Sequence, residues 1–159
     1  MRRCIVPILL LGLFFFFPFQ VFIIGSETGI GIQGAVYRVQ VTGYGDSLIL
    51  ITQEIMYVVN GLYSVKTGSS VLLWALGSCV LALITWFGIV SADSAGPEHY
   101  RRISLGLIVA CVCYLGSCIA QYGVFFHGAA GTSIPLGVAL VLLWLAAIRF
   151  FPEILTFRQ

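Results

Sequence analysis

Charge is what this chain has least of. Only 9% of its 159 residues are Asp, Glu, Lys or Arg, against about a quarter in soluble domains. With 60% of residues hydrophobic and a mean hydropathy of +1.05, too few polar groups remain to cover a water-soluble fold. The net charge of +2, with no basic cluster beyond Arg2-Arg3 and Arg101-Arg102, argues against a nucleic-acid partner. Groups that carry chemistry are just as scarce. No phosphate-cradling glycine loop, HExxH, GxSxG or CxxC is present. GIGIQG at 29–34 matches a nucleotide fingerprint only by its letters. The two histidines stand apart: His99 beside Glu98 and Arg101, and His127 in FFHGAAGTS. The sequence therefore predicts no catalytic residues, no metal site and no cofactor. Cysteine is missing from the outer segments: Cys4, Cys79, Cys111, Cys113 and Cys118 all lie in or beside apolar runs. They read as small packing residues rather than disulfides. On a helix, Cys111 and Cys113 point about 200° apart.

Long hydrophobic runs are what the chain does have. Residues 5–24, 71–90, 103–122 and 134–151 each approach the roughly 20 residues that a hydrocarbon core requires. They predict a single integral membrane domain, a bundle of four transmembrane helices. The first run follows Arg2-Arg3 as a signal peptide would. It is longer than the usual apolar region of such a peptide and has no A-x-A site after it, so retention is expected. No charge occupies a span midplane, Arg149 lying near the end of the last run. This argues against an ion-coupled carrier acting alone. Arg2, Arg3, Arg101, Arg102, Arg149 and Arg158 flank one side, and Arg38 and Lys66 the other. The excess predicts cytoplasmic termini, a cytoplasmic loop at 91–102 and a cytoplasmic tail at 152–159. Segments 25–70 and 123–133 then face outward from a multi-pass protein of the plasma membrane.

The outer segment 25–70 reads as a small extracellular β-sheet. Residues 25–34 are glycine-rich and read as a loop. From Ala35, apolar Tyr37, Val39 and Val41 alternate with polar Arg38, Gln40 and Thr42, the period of a strand. Gly43–Asp46 supplies a turn and 47–52 a second strand. EIMYVVNGLYSVKTG at 54–68 reads as a hairpin turning at Asn60-Gly61, with Val59 opposite Leu62 and Met56 opposite Val65. Three or four antiparallel strands are expected. A helix over 47–59 is the competing reading of the same short apolar run.

Between the helices, small residues mark the expected contact. Gly106, Ala110, Cys113, Ser117 and Ala120 line one face of the third span, and Ala75, Ser78, Ala82 and Thr85 one face of the second. Small side chains let backbones approach in lipid, so these seams are predicted to face each other. Gln20, near the outer end of the first span, is expected to seek an interhelical hydrogen bond.

One span, a strand-rich outer segment of about 45 residues, three more spans and a short outer loop together resemble the claudin and PMP22/stargazin-like tetraspan superfamily. Gly61-Leu62-Tyr63 falls where that family carries Gly-Leu-Trp on a strand before the second helix. Tyr63 replaces the tryptophan, and the family's paired extracellular cysteines are missing. The resemblance implies a non-enzymatic protein that self-associates or serves as an accessory subunit of a membrane complex, surrounded by membrane lipids. Tyr44, Tyr57, Val59, Leu62 and Tyr63 are the expected partner-binding residues. The alternative is a small membrane enzyme or carrier subunit that uses His127 with Glu54 or Asp46 at a lipid or small-molecule site.

Overall fold

The computed structural model of the chain describes residues 15–25, 29–91 and 97–150. Six strands and four helices lie within them: β1 (Gln20–Ile24), β2 (Gly29–Gln33), β3 (Tyr37–Thr42), β4 (Gly45–Leu50), α1 (Ile51–Val59), α2 (Val65–Val90), α3 (Pro97–Tyr122), β5 (His127–Gly128), β6 (Gly131–Ile134) and α4 (Leu136–Phe150). All strands belong to one antiparallel sheet in the order β4-β3-β2-β1-β6-β5.

The helical layer is built on α2 and α3, which run antiparallel in close contact. Gly77 lies against Ala110 and Cys113, Gly106 against Ile84, and Gly116 against Leu73. At the sheet end the Ser70 hydroxyl donates to the Ser117 carbonyl at 2.9 Å, and the Ser117 hydroxyl to the Ser70 carbonyl at 2.8 Å. Trp74, Leu81, Leu107, Ala110 and Tyr114 form the core, closed at one side by Val141 of α4. The opposite faces of these helices are just as apolar. Leu72, Leu76, Leu83 and Trp86 of α2, Leu105, Val109 and Val112 of α3, and Leu142 and Leu143 of α4 are exposed. In water each exposed leucine would forgo roughly 1.5–3 kcal/mol of burial. Two helices, Val65–Val90 and Arg101–Tyr122, are long and apolar enough to cross a membrane.

Several expectations are corrected here. The run 5–24 does not remain helical to its end, because Gln20–Ile24 is strand β1; residues 5–14 of that run lie outside the described residues. Pro18 disfavours helix at the residue before it, and the β-branched run after it pairs with β2. The stretch 29–33, read as loop, is a central strand. Its glycines made it look like a turn, yet Gly31 is needed where the Phe22 ring lies across the backbone: a Cβ there would stand 2.3 Å from Cζ of Phe22. The segment 123–133 is likewise no simple loop, since it supplies β5 and β6. Ile134, expected as the first residue of the last span, ends β6, and the helix starts at Leu136 after Pro135.

The Asn60-Gly61 hairpin does not exist. Residues 51–59 form α1, the later part of the competing helix reading of 47–59, while 47–50 belong to β4, which stops at Leu50; Val59 and Leu62 are therefore not paired across a turn. Asn60 caps α1 and Gly61 takes φ +69°. Gly61 N–H donates to Val58 O and Leu62 N–H to Tyr57 O, both at 3.0 Å. These are the paired bonds that close a helix through a left-handed residue. Asn-Gly suits positive φ, and a helix exit uses that freedom as well as a hairpin does. At the other end the Leu50 N–H donates to Gln53 Oε1 at 2.9 Å, which starts the helix. Ile51, Glu54, Ile55 and Val58 give α1 its inward face. Ser64 then accepts from the Thr67 N–H and opens α2 six residues before the expected start of that span.

Candidate functional site

Register fixes which strand residues share a face. One face carries the row Gln20, Gln33 and Arg38, with Phe22 and Ser133 one step along. This face is turned to the helices, and it is the polar one. Gln20, Phe22, Gln33 and Ser133 are buried. Arg38 is its centre: Nε and Nη2 donate to Gln33 Oε1 at 3.1 and 2.8 Å, and Nη1 donates to Glu54 Oε1 of α1 at 2.8 Å. The guanidinium lies 5.1 Å from the Trp74 ring centre and 5.8 Å from that of Phe22. Trp74 Nε1 donates to the Gly34 carbonyl at 3.0 Å, and the Ser78 hydroxyl reaches the Ala35 carbonyl. The β2–β3 connection is thereby pinned between sheet and helices. Gln20 does find a helix partner, although from a strand: Cys118 Sγ donates to its Oε1 at 3.0 Å.

Arg38 and Glu54 are nearly dry, with side chains 11% and 1% exposed. Glu54 Oε2 is buried with no donor in hydrogen-bond geometry among the described residues. Tyr63 still senses that carboxylate. Burial first, then donation of its hydroxyl toward the Glu54 carboxylate, and then that carboxylate's charge raise the Tyr63 pKa well above the usual phenol range. Its ring meets Tyr57 edge-on at 5.8 Å.

The other face of the sheet is aliphatic. Leu48, Val39, Ile32, Val21 and Ile134 stand in one cross-strand row. Asp46, Val41, Ile30, Ile23, Thr132 and His127 stand in the next. Val41 is 49% exposed, Ile30 52%, Ile23 40% and Leu48 64%. A sheet with one wet face normally buries its apolar side. Here the polar side is the buried one.

The five residues expected to bind partners do not gather on this sheet. Tyr44 is fully exposed at the tip of the β3–β4 turn. Tyr57, Val59 and Leu62 are exposed on α1 and the turn after it, and Tyr63 is drawn inward toward Glu54. Gly61-Leu62-Tyr63 occupies a helix–helix turn rather than a strand. Of the expected packing residues, Ala110, Cys113 and Ser117 of α3 are buried against α2, and Gly106 meets Ile84. On α2, Ser78 is buried and Ala75 half-buried, but Ala82 is exposed. The true contact runs through Gly77, and at 100° per residue Ala82 points about 140° away from it. Ser78, bonded to the Tyr114 hydroxyl of α3 at 3.0 Å, does lie at the contact, so spacing alone erred at Ala82 and passed over Gly77.

His127 is not brought to either acid. Its Nδ1 pairs with Thr132 Oγ1 at 2.7 Å on the outer face, whereas Glu54 lies beneath the inner face. Asp46 is at the opposite edge of the His127 row, five strand spacings or roughly 24 Å away. No metal-holding group of acids, histidines and cysteines occurs among the described residues. The cleft between Phe19, Gln33, Tyr114 and Cys118 has room for about one water molecule. The residues that sequence reasoning missed are Ile23 and Ile30, hidden in a supposed span and a supposed loop, and the Gln33–Arg38–Glu54 group. Arg38 carried the available signal, as the one charged residue of β3.

Comparison with protein families, with curated proteins and with solved structures returned no match.

Proposed function

We propose that this chain is a non-enzymatic integral membrane protein that works by assembly through its extramembrane sheet. In this reading four helices cross the plasma membrane, both termini are cytoplasmic, and the sheet stands on the outer surface. The partner is another copy or another membrane protein. One observation carries the reading: the sheet buries its polar face and leaves its aliphatic face outward. Contiguous apolar surface of a few hundred Å² marks a place where something else binds. The exposed leucines of α2 and α3 support the membrane setting. The order of elements, a strand-rich segment, two long helices, a strand pair and a last helix, supports the claudin-like layout as part of the same proposal.

The test is the mass of the particle extracted in mild detergent, with whatever travels with it. An oligomer or a stoichiometric companion is expected. A bare monomer at concentrations matching its density in the membrane ends the proposal.

A further inference from the structure

Resting on that reading, we infer that the partner is a second copy of this chain, docked face to face on the aliphatic side of the sheet about a two-fold axis along the membrane normal. The strand order has three strands on each side of the β1–β2 boundary. Two copies upright in one bilayer share the direction of the membrane normal, so their two-fold runs along it. β1 runs beside α3, with Phe19 stacked on Tyr114, Gln20 bonded to Cys118 and Phe22 near Tyr122, and β6 leads through Pro135 into α4. The strands therefore lie along such an axis, and rotation about it reverses the strand order while keeping each row at its height.

Placed between β1 and β2, the axis sets Ile30 against the partner's Ile23, Val41 against the partner's Thr132, and Asp46 against the partner's His127. Asp46 and His127 are the acid and the imidazole of this face, on opposite edges of one row. They are too far apart to meet within a chain, and an isologous contact brings them together twice. With Nδ1 of His127 hydrogen-bonded to Thr132, Nε2 is the ring nitrogen that faces the carboxylate, and the imidazolium form donates to it. The second row sets Ile32 against the partner's Val21 and Val39 against the partner's Ile134. The six strands, 28 residues in all, at about 3.3 Å by 4.8 Å per residue give roughly 440 Å² per copy, or about 900 Å² in total, the size of a small, reversible interface. Sheets packed in this way lie about 10 Å apart with their twists aligned.

The full chain, in mild detergent and again in lipid bilayers, is sized by sedimentation and by counting single-molecule bleaching steps. Wild type gives a dimer. Ile30→Asp is monomeric, with dissociation at least about a hundredfold easier, because each dimer would bury the new charge twice. Asp46→Lys and His127→Asp each weaken the dimer about tenfold or more, and the two together in one chain restore it. That restoration cannot come from a misfolded chain. Val65→Asp, at the exposed start of α2 and off the sheet, leaves the dimer intact. A dimer that survives Ile30→Asp, a swap that fails to restore it, dispersal by Val65→Asp, or an assembly holding only foreign chains overturns this inference while the assembly reading stands. A solitary wild-type monomer overturns both.

Discussion

Removing one member of the Arg38–Glu54 pair is the sharpest perturbation available. The pair joins the inner face of the sheet to α1 at 2.8 Å, with almost no water on either group. At that distance and an effective dielectric of about 20, the attraction is roughly 6 kcal/mol, offset by several kcal/mol per ion of lost hydration. The net value of the pair is therefore modest, but the cost of breaking it is not. Arg38→Met leaves a buried carboxylate with no cation, and Glu54→Met leaves a buried guanidinium. Each should cost about 3–5 kcal/mol, a large part of the 5–15 kcal/mol that holds a typical fold. The double variant removes both charges and should lose only about 1–3 kcal/mol, chiefly for the orphaned Gln33 amide. The cycle should thus depart from additivity by at least about 3 kcal/mol. Reversible unfolding in micelles measures these values. Hydrogen exchange over 51–59 locates the effect, because a nine-residue helix has little stability of its own. Single variants within about 1 kcal/mol of wild type, or additive losses, would refute the argument that this pair fastens α1 and sets which face of the sheet is buried.

Three further outcomes test the remaining contacts. Ser70→Ala and Ser117→Ala should each cost about 0.6–1.5 kcal/mol, and the double variant less than their sum, since the two hydroxyls bond reciprocally across α2 and α3; thermal midpoints in detergent read this directly. Gly77→Leu should lower the midpoint by more than either serine change, at about 1–3 kcal/mol or above, because even a Cβ there stands 3.2 Å from that of Cys113. Ala82→Leu, on the exposed stripe, should change almost nothing. His99 packs on Phe87 at 5.2 Å, and burial first and Arg102 second push its pKa below 6.5. The unfolded chain then binds the proton more readily, so stability should be full above about pH 6.5 and fall as pH drops below it. A midpoint that is flat between pH 7.5 and 5.5, or one that rises on acidification, contradicts this.

Some of this molecule was legible from residues alone, for local reasons. Two long apolar runs form long apolar helices, whose backbone bonds close within the segment, and α2 and α3 cover 71–90 and 103–122. Alternation of Tyr37, Val39 and Val41 with Arg38, Gln40 and Thr42 fixed two faces of a strand, since side chains alternate whatever the strand packs against. Which face would be covered was another matter. Periodicity separates polar from apolar, and the habit of burying the apolar side fails once a charged pair, two glutamines and two aromatic rings satisfy one another inside. Asn60-Gly61 shows the same limit: positive φ was readable, but whether it closed a hairpin or a helix depended on α2 starting at Val65. The sequence by itself determined the two long helices and the period of β3, both of which are set within a few residues. Only the tertiary structure decided that Glu54 meets Arg38 from sixteen residues away, that Gly77 rather than Ala82 faces α3, and that 131–134 completes a sheet begun at Gln20. Those choices depend on contacts between distant segments, and local spacing does not encode them.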